Sequence, residues 1–483
     1  MSDSLDFSAF SSWGTYIVIA CLLVSLILAN VIKKVVPFLR ESLIPTSVLA
    51  GILILIVSSV YTFIVGEEGT PFFNLAIFDG RGYRTLEVIT YHTLALGFIA
   101  SAFKTSKNKL TKKRAVEVLN TGVTTVSTYL VQAIVGLAIS IFVAAFIIKE
   151  FYPAAGALLC FGYGQGTGQA LNYGIIYEKD GFVGGSSFGL TIAALGFLSA
   201  SIGGVIHLNI LRKFKKLSFK KVEDDEALNQ EVVEEKGEIP MQESIDKFTI
   251  QIALIGFAYI LAWGLMFLLS WLIPSLESVI YGFNFIIGVL TATLVKLGLK
   301  LLRKWGAVKK EYTNNFLLTR ASNFFFDIMV VAGIAAIRLD VLKDYWGTIV
   351  IIGILGAVAT YFYVRVVCKK LFPKYPEEQF LMMYGMLTGT ASTGIILLRE
   401  IDGEFKTPAS DNLVYQNIPA IVLGFPMMLV ATYAMERPLI ALLICIGYAA
   451  VLNLFLFRSK IFVKRGKKGE AVEIPAETSK QDK

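Results

Sequence analysis

Long apolar runs alternate with short charged connections along the whole chain. Eleven runs reach the length that crosses a bilayer or nearly so, which takes about 20 mostly apolar residues. They fall at roughly 14–32, 43–64, 88–103, 120–148, 184–211, 248–274, 278–299, 321–337, 345–364, 414–434 and 438–457. Two further apolar stretches, 154–176 and 379–398, are rich in Gly, Thr and Ser. Hydropathy alone would count these two as spans as well. The expected fold class is an all-α polytopic membrane protein with about eleven transmembrane helices.

Charge decides how the two Gly-rich stretches run. Positive residues concentrate in cytoplasmic loops. Segment 104–114, with Lys104, Lys107, Lys109, Lys112, Lys113 and Arg114, is therefore expected inside, together with Lys33, Lys34 and Arg40. The loop 65–87, with Glu67, Glu68, Asp79 and Glu87 against Arg81 and Arg84, is expected outside. The basic cluster Arg212 to Lys221 reaches the cytoplasm only if 154–176 does not cross. In the second half, the clusters Lys296 to Lys310, Arg365 to Lys374 and Arg458 to Lys468 all fall inside only if 379–398 does not cross. Segments 153–177 and 378–398 thus read as re-entrant hairpins, the first dipping in from outside and the second from the cytoplasm. The N-terminus is expected outside and the C-terminus in the cytoplasm, in a multi-pass protein of the cell membrane.

Composition agrees with this and excludes other classes. Of 483 residues, 55% are hydrophobic and 17% charged, with a mean hydropathy of +0.65. Soluble chains are closer to a quarter charged, so a large soluble enzyme, a disordered regulator and a disulfide-rich secreted domain are all excluded. The formal charge of +8 is the loop excess of a membrane protein, and no nucleic-acid partner is expected. Cys21, Cys160, Cys368 and Cys445 lie far apart without a CxxC pair, so neither a disulfide framework nor a zinc site is indicated. No cleavable signal peptide is evident, because an acidic, Ser-rich start precedes the first apolar run.

The chain also repeats itself. Gly162-Tyr-Gly-Gln-Gly166-Thr167-Gly168 and Gly385-Met-Leu-Thr-Gly389-Thr390-Ala391 share the pattern G-x-x-x-G-T-[GA]. Ile44-Pro-Thr-Ser-Val-Leu-Ala-Gly51 resembles Phe283-Asn-Phe-Ile-Ile-Gly288. The run from His92 resembles the run from Asp327, and Thr191 to Phe197 resembles Ile418 to Phe425. Four matches in one order, on helices of opposite direction, predict two inverted repeats. Residues 1–211 form the first, with hairpin 153–177. Residues 212–247 form a charged cytoplasmic linker, with a regulatory role as the alternative to a plain solvated connection. Residues 248–434 form the second repeat, with hairpin 378–398. Residues 435–483 add an extra transmembrane helix and a basic tail suited to an anionic lipid leaflet.

Inverted repeats with broken helices are the signature of secondary transporters, whose ligand site lies where the repeats meet. Re-entrant backbone leaves N–H and C=O groups that must face protein or an aqueous cavity. Unwound carbonyls suit a sodium ion, and half-helix N-termini suit a carboxylate.

The hairpin Gly162 to Gly168, followed by Glu178-Lys-Asp-Gly-Phe182 and a Gly-rich helix through Gly203-Gly204, resembles the bacterial sodium/glutamate symporter family. The resemblance covers roughly residues 14–434. It implies Na⁺-driven uptake of glutamate or a related anionic amino acid, no organic cofactor, and a homodimer with scaffold and core parts. The chain departs from the family pattern at Tyr163 and Gln165, in the second hairpin, in the long linker and in the eleventh span.

Candidate substrate ligands are Gly162, Gly164, Gln165, Gly166, Thr167, Gly168 and Gln169 in the first hairpin. Those in the second are Gly385, Thr388, Gly389, Thr390, Ser392 and Thr393. The N–H groups of Gly164, Gly166 and Gly168 are the preferred carboxylate binders, with Gln165 and Gln169 as side-chain donors. Asp327 is the charged residue well inside a predicted span, where an ionised group is costly and a role is expected. It is assigned to ion coupling with Asn323 and Asn417; the alternative is a structural carboxylate. Arg338, Lys104 and Arg399 are candidate counter-charges, or cations snorkelling at the boundary. The main rival function is a Na⁺-coupled carrier of a di- or hydroxycarboxylate such as citrate or malate, then a passive channel. No zinc motif, nucleophile elbow or phosphate loop is present, so no enzymatic activity is expected.

Overall fold

The computed structural model describes residues 6–66, 69–105, 111–215, 238, 245–403 and 405–458. Among them ten helices are long and apolar enough to cross a bilayer, or eleven when one bent pair counts as a span. The protein is an all-α, multi-pass membrane protein.

The first repeat runs α1 (Phe10–Val35), α2 (Pro37–Glu41), α3 (Thr46–Val65), α4 (Gly82–Phe103), α5 (Lys112–Phe146), the pair α6 (Leu158–Gln165) and α7 (Thr167–Lys179), and α8 (Gly185–Lys215). The second runs α9 (Lys247–Leu272), α10 (Glu277–Gly282), α11 (Asn284–Lys304), α12 (Asn315–Ala335), α13 (Trp346–Leu371), the pair α14 (Pro376–Thr388) and α15 (Ala391–Arg399), α16 (Ala409–Tyr415) and α17 (Asn417–Tyr433). Helix α18 (Pro438–Leu456) follows and packs along α5.

Packing repeats as the sequence does. α1 lies on α3 as α9 lies on α11; α3 packs on α12 as α11 packs on α4. The two repeats join along α4 and α12, where small residues bring the backbones close. Ser322 Oγ donates to the Gly97 carbonyl at 3.0 Å and lies 2.8 Å from Ser101 Oγ.

Both Gly-rich stretches fold back on themselves. In the first, Phe161 of α6 stacks on Tyr173 of α7 with ring centroids 3.8 Å apart. Its base is closed by the Tyr152 hydroxyl, which donates to Asp180 Oδ2 at 2.6 Å. Burial and then the Asp180 carboxylate push the Tyr152 phenol above its ordinary range, which keeps it a donor. In the second hairpin, a Cβ on Gly385 would lie 2.8 Å from the Gly394 Cα. Only glycine permits that approach of α14 to α15.

Helix α5 shows that the hairpins are rooted at opposite ends of the molecule. Near its C-terminus, Ser140 Oγ donates to the Pro153 carbonyl at 2.6 Å, at the root of the first hairpin. Near its N-terminus, Glu117 accepts from the Tyr375 hydroxyl at 2.9 Å, at the root of the second. About 35 Å of helix separates these contacts at 1.5 Å per residue.

Two expected spans are interrupted. The run 414–434 belongs to α16 and α17, which meet at a 52° bend at Gln416. Pro419 has no N–H to return to the carbonyl four residues back, so the helical ladder breaks there. The run 278–299 begins with the short α10 before α11. Most of the linker 212–247, with its acidic run Glu223 to Glu226, and the tail beyond Arg458 lie outside the described residues. Glu238, which is described, accepts from Lys247 Nζ at 2.8 Å and Asn314 Nδ2 at 2.7 Å.

A side chain on Gly394 would drive its Cβ to 2.5 Å from the Met382 carbonyl. Gly394→Val is expected to destabilise the protein by roughly 1–3 kcal/mol through overpacking, read as a lower thermal unfolding midpoint in detergent.

Candidate functional site

The two hairpin tips meet inside the protein. Helix α6 ends at Gln165, Gly166 takes φ +82°, and α7 starts at Thr167. That left-handed conformation is disfavoured for any residue with a Cβ. The first N–H groups of a helix have no partner inside it, and no side chain caps α7. Thr167, Gly168 and Gln169 are nevertheless buried. At the second tip, α14 ends at Thr388, and the Thr390 hydroxyl accepts from the Thr393 N–H, with the reciprocal contact completing a capping box at the start of α15.

The tips therefore differ: α15 is capped by its own side chains and α7 is open. The end of α14 packs against α6, each a negative helix end, and the positive starts of α7 and α15 follow them in the chain. A Cβ on Gly166 would meet nothing within 4 Å, so open space adjoins the uncapped turn. Ser392 at the second tip is exposed and Thr390 half-buried.

Gln132 of α5 joins the two tips. Its Nε2 donates to the Leu387 carbonyl at 2.8 Å and to Thr360 Oγ1 of α13 at 3.0 Å. Its Oε1 has no donor and lies 3.0 Å from where a Gly164 Cβ would be. Gly196 of α8 lets the Thr388 carbonyl and the Tyr163 ring approach closely. Tyr163 is fixed by its hydroxyl, which donates to the Gly353 carbonyl at 2.7 Å. Gln169, 1% exposed, has neither amide atom satisfied. Buried, unpaired amides are costly in a dry interior, so Gln132 at the last turn of α6 and Gln169 in the first turn of α7 leave polar capacity for a ligand.

The other candidates separate by place. Gly162 packs against α8 at Ala193, and Gly168 against Leu94 of α4. Gly164 lies within the last turn of α6; the first-turn donors belong to Thr167, Gly168 and Gln169. Gln165 is half-buried at the tip. Gly385 serves the packing of its hairpin, Gly389 lies against Thr393, and Thr388 spends its hydroxyl on the Tyr384 carbonyl at 2.7 Å.

Asp327 and Asn323 share an exposed face of α12, where Asp327 meets Ser47 of α3. Thr167 touches a different side of that helix, at Met329 and Gly333. Asn417 is exposed beyond the α16–α17 bend and accepts from Gln416 Nε2 at 3.1 Å. The structure thus gathers the hairpin residues but does not bring Asp327, Asn323 and Asn417 to them. His92 pairs with Tyr259 at 2.6 Å on the α9 side. Arg399 lies over the Phe405 ring, and the Arg338 N–H donates to Ser187 Oγ. Among the described hydrogen bonds and ion pairs, none joins a Lys or Arg side chain to a hairpin-tip residue.

Gln132, Tyr163, Gly196 and Thr360 complete the site and were not among the candidates. Gln132 carried a signal, since it is the amide side chain deep in the run 120–148. No protein-family model and no curated protein matches this chain.

Gln132→Leu removes the donor to a buried carbonyl and is expected to cost about 1–3 kcal/mol. Thermal unfolding of the purified variant measures it; an unchanged midpoint would mean that the tips are not held through Gln132.

Proposed function

We propose that the protein is a secondary transporter that binds an anionic solute at the hairpin tips and moves it with Na⁺. One observation carries this: a buried, uncapped helix start beside two unsatisfied glutamine side chains, where two opposed hairpins meet. Exposed N–H groups at a helix start favour a carboxylate without a counter-cation. With no described hydrogen bond or ion pair from a Lys or Arg side chain to the tips, a bound anion leaves net negative charge in a low-dielectric interior, and a co-bound Na⁺ offsets it. That is a physical reason for coupling.

Glutamate or a related anionic amino acid is the substrate favoured by the resemblance to the sodium/glutamate symporters, which also carries the homodimer and the cell-membrane placement. Its carboxylate would take the N–H groups of Thr167, Gly168 and Gln169, and its remaining polar groups the free atoms of Gln132 and Gln169. Opposed rooting of the hairpins lets the tips be reached from either face in turn, as alternating access requires.

Labelled glutamate is expected to accumulate in proteoliposomes under an inward Na⁺ gradient and not under a choline gradient. Uptake of citrate or malate instead, with no glutamate signal, would replace the substrate. Gly166→Leu is expected to abolish uptake while costing only about 1–2 kcal/mol in backbone strain, so membrane expression survives; normal uptake by this variant would contradict the site.

A further inference from the structure

A second group of unsatisfied atoms lies away from the tips, at the bend between α16 and α17. Asn412 and Gln416 are one helical turn apart and are 0% and 2% exposed. Their neighbours come from α5 and α14. Asn412 Nδ2 donates to Gln379 Oε1 at 3.0 Å and to the Tyr375 hydroxyl at 3.2 Å. Gln416 Nε2 donates to Asn417 Oδ1 at 3.1 Å and to Met386 Sδ at 3.3 Å. Both amide oxygens, Asn412 Oδ1 and Gln416 Oε1, are buried without any donor.

The donor bonds shown around them go elsewhere. Gln379 Nε2 reaches Thr121 Oγ1 at 3.3 Å, the Thr121 hydroxyl donates to the Glu117 carbonyl at 2.8 Å, and the Tyr375 hydroxyl goes to the Glu117 carboxylate. Among the described residues no donor reaches either oxygen. Residues four apart on a helix place their Cβ atoms about 5–6 Å apart, so both oxygens can turn to one ion between them. A water there could give its two protons but would leave its own lone pairs unmet; a cation has none to satisfy. Neutral amide oxygens suit a monovalent ion, since calcium and magnesium sites draw on carboxylates.

We propose that Asn412 Oδ1 and Gln416 Oε1 form a Na⁺ site at the α16–α17 bend. This rests on the Na⁺-coupled reading and gives that ion a place. The site also reaches the substrate region, because Gln379 and Met386 lie on α14, the arm that carries the second tip at Thr388. An ion there fastens that arm to α16 and α5, so its binding biases where the tip sits.

The test is thermal unfolding of the full-length protein in detergent, in NaCl against N-methyl-D-glucamine chloride at equal ionic strength. Na⁺ is expected to raise the midpoint in a saturable way. Asn412→Leu and Gln416→Leu are expected to lose that rise. Asn412→Asp, which supplies a charged oxygen in the same shape, is expected to retain it at about tenfold less Na⁺. A full Na⁺ response in both leucine variants, or none in the unaltered protein, would overturn the site. Proteoliposome uptake separates the two ideas. Uptake by Asn412→Leu with unaltered Na⁺ dependence removes this site and leaves the symport. An unaltered protein that is stabilised by Na⁺ through these residues yet shows no Na⁺-driven uptake removes the symport and leaves the site.

Discussion

A bilayer offers no water to a peptide group, so every buried N–H and C=O must find a partner within the protein. Unbroken helices meet that requirement residue by residue. The two hairpins break it at Gly166 and at Gly389–Thr390. The first break is buried against other helices, and the second is half-buried and capped by its own side chains. Helix α5 roots a hairpin at each end, α8 passes between the tips at Gly196, and Gln132 takes the Leu387 carbonyl at the end of α14. The unequal capping of α7 and α15 then decides where polar capacity is left for a ligand.

Glycine and amide side chains divide the work. Gly385 and Gly394 let helices touch backbone to backbone, and Gly166 alone requires a positive φ at a tip. The amides carry the polar function without charge, which limits the cost of burial. Among the described residues five of them, Gln132, Gln169, Asn284, Asn412 and Gln416, hold atoms that the protein itself leaves unsatisfied. Gln132 and Gln169 lie at the first hairpin, and Asn412 and Gln416 lie at the α16–α17 bend.

Much of the fold was legible in the sequence because two independent signals met. Hydropathy located the spans, and the placement of Lys and Arg excluded 154–176 and 379–398 from crossing. Asn417, Pro419 and Pro426 mark the run 414–434 as an irregular helix, though not where it bends or by how much. The hairpin motif located a segment that folds back on itself, yet which N–H groups remain open depends on where α6 stops, and that is set by packing. Asp327 stood out by charge, but hydropathy does not say which side of α12 faces the hairpin. Gln132 was visible as a polar residue in an apolar run. Its partner Leu387 lies 255 residues away, and no local pattern connects them.

Opposed rooting of the two hairpins is the claim on which the site depends, and side-specific labelling tests it directly. Lys179 at the base of the first hairpin and Lys374 at the base of the second are both exposed. In a background with Cys21, Cys160, Cys368 and Cys445 replaced, Lys179→Cys should react with a membrane-impermeant maleimide from outside intact cells. Lys374→Cys should react only after the cytoplasmic face is opened. Labelling of both positions from the same face would contradict the account.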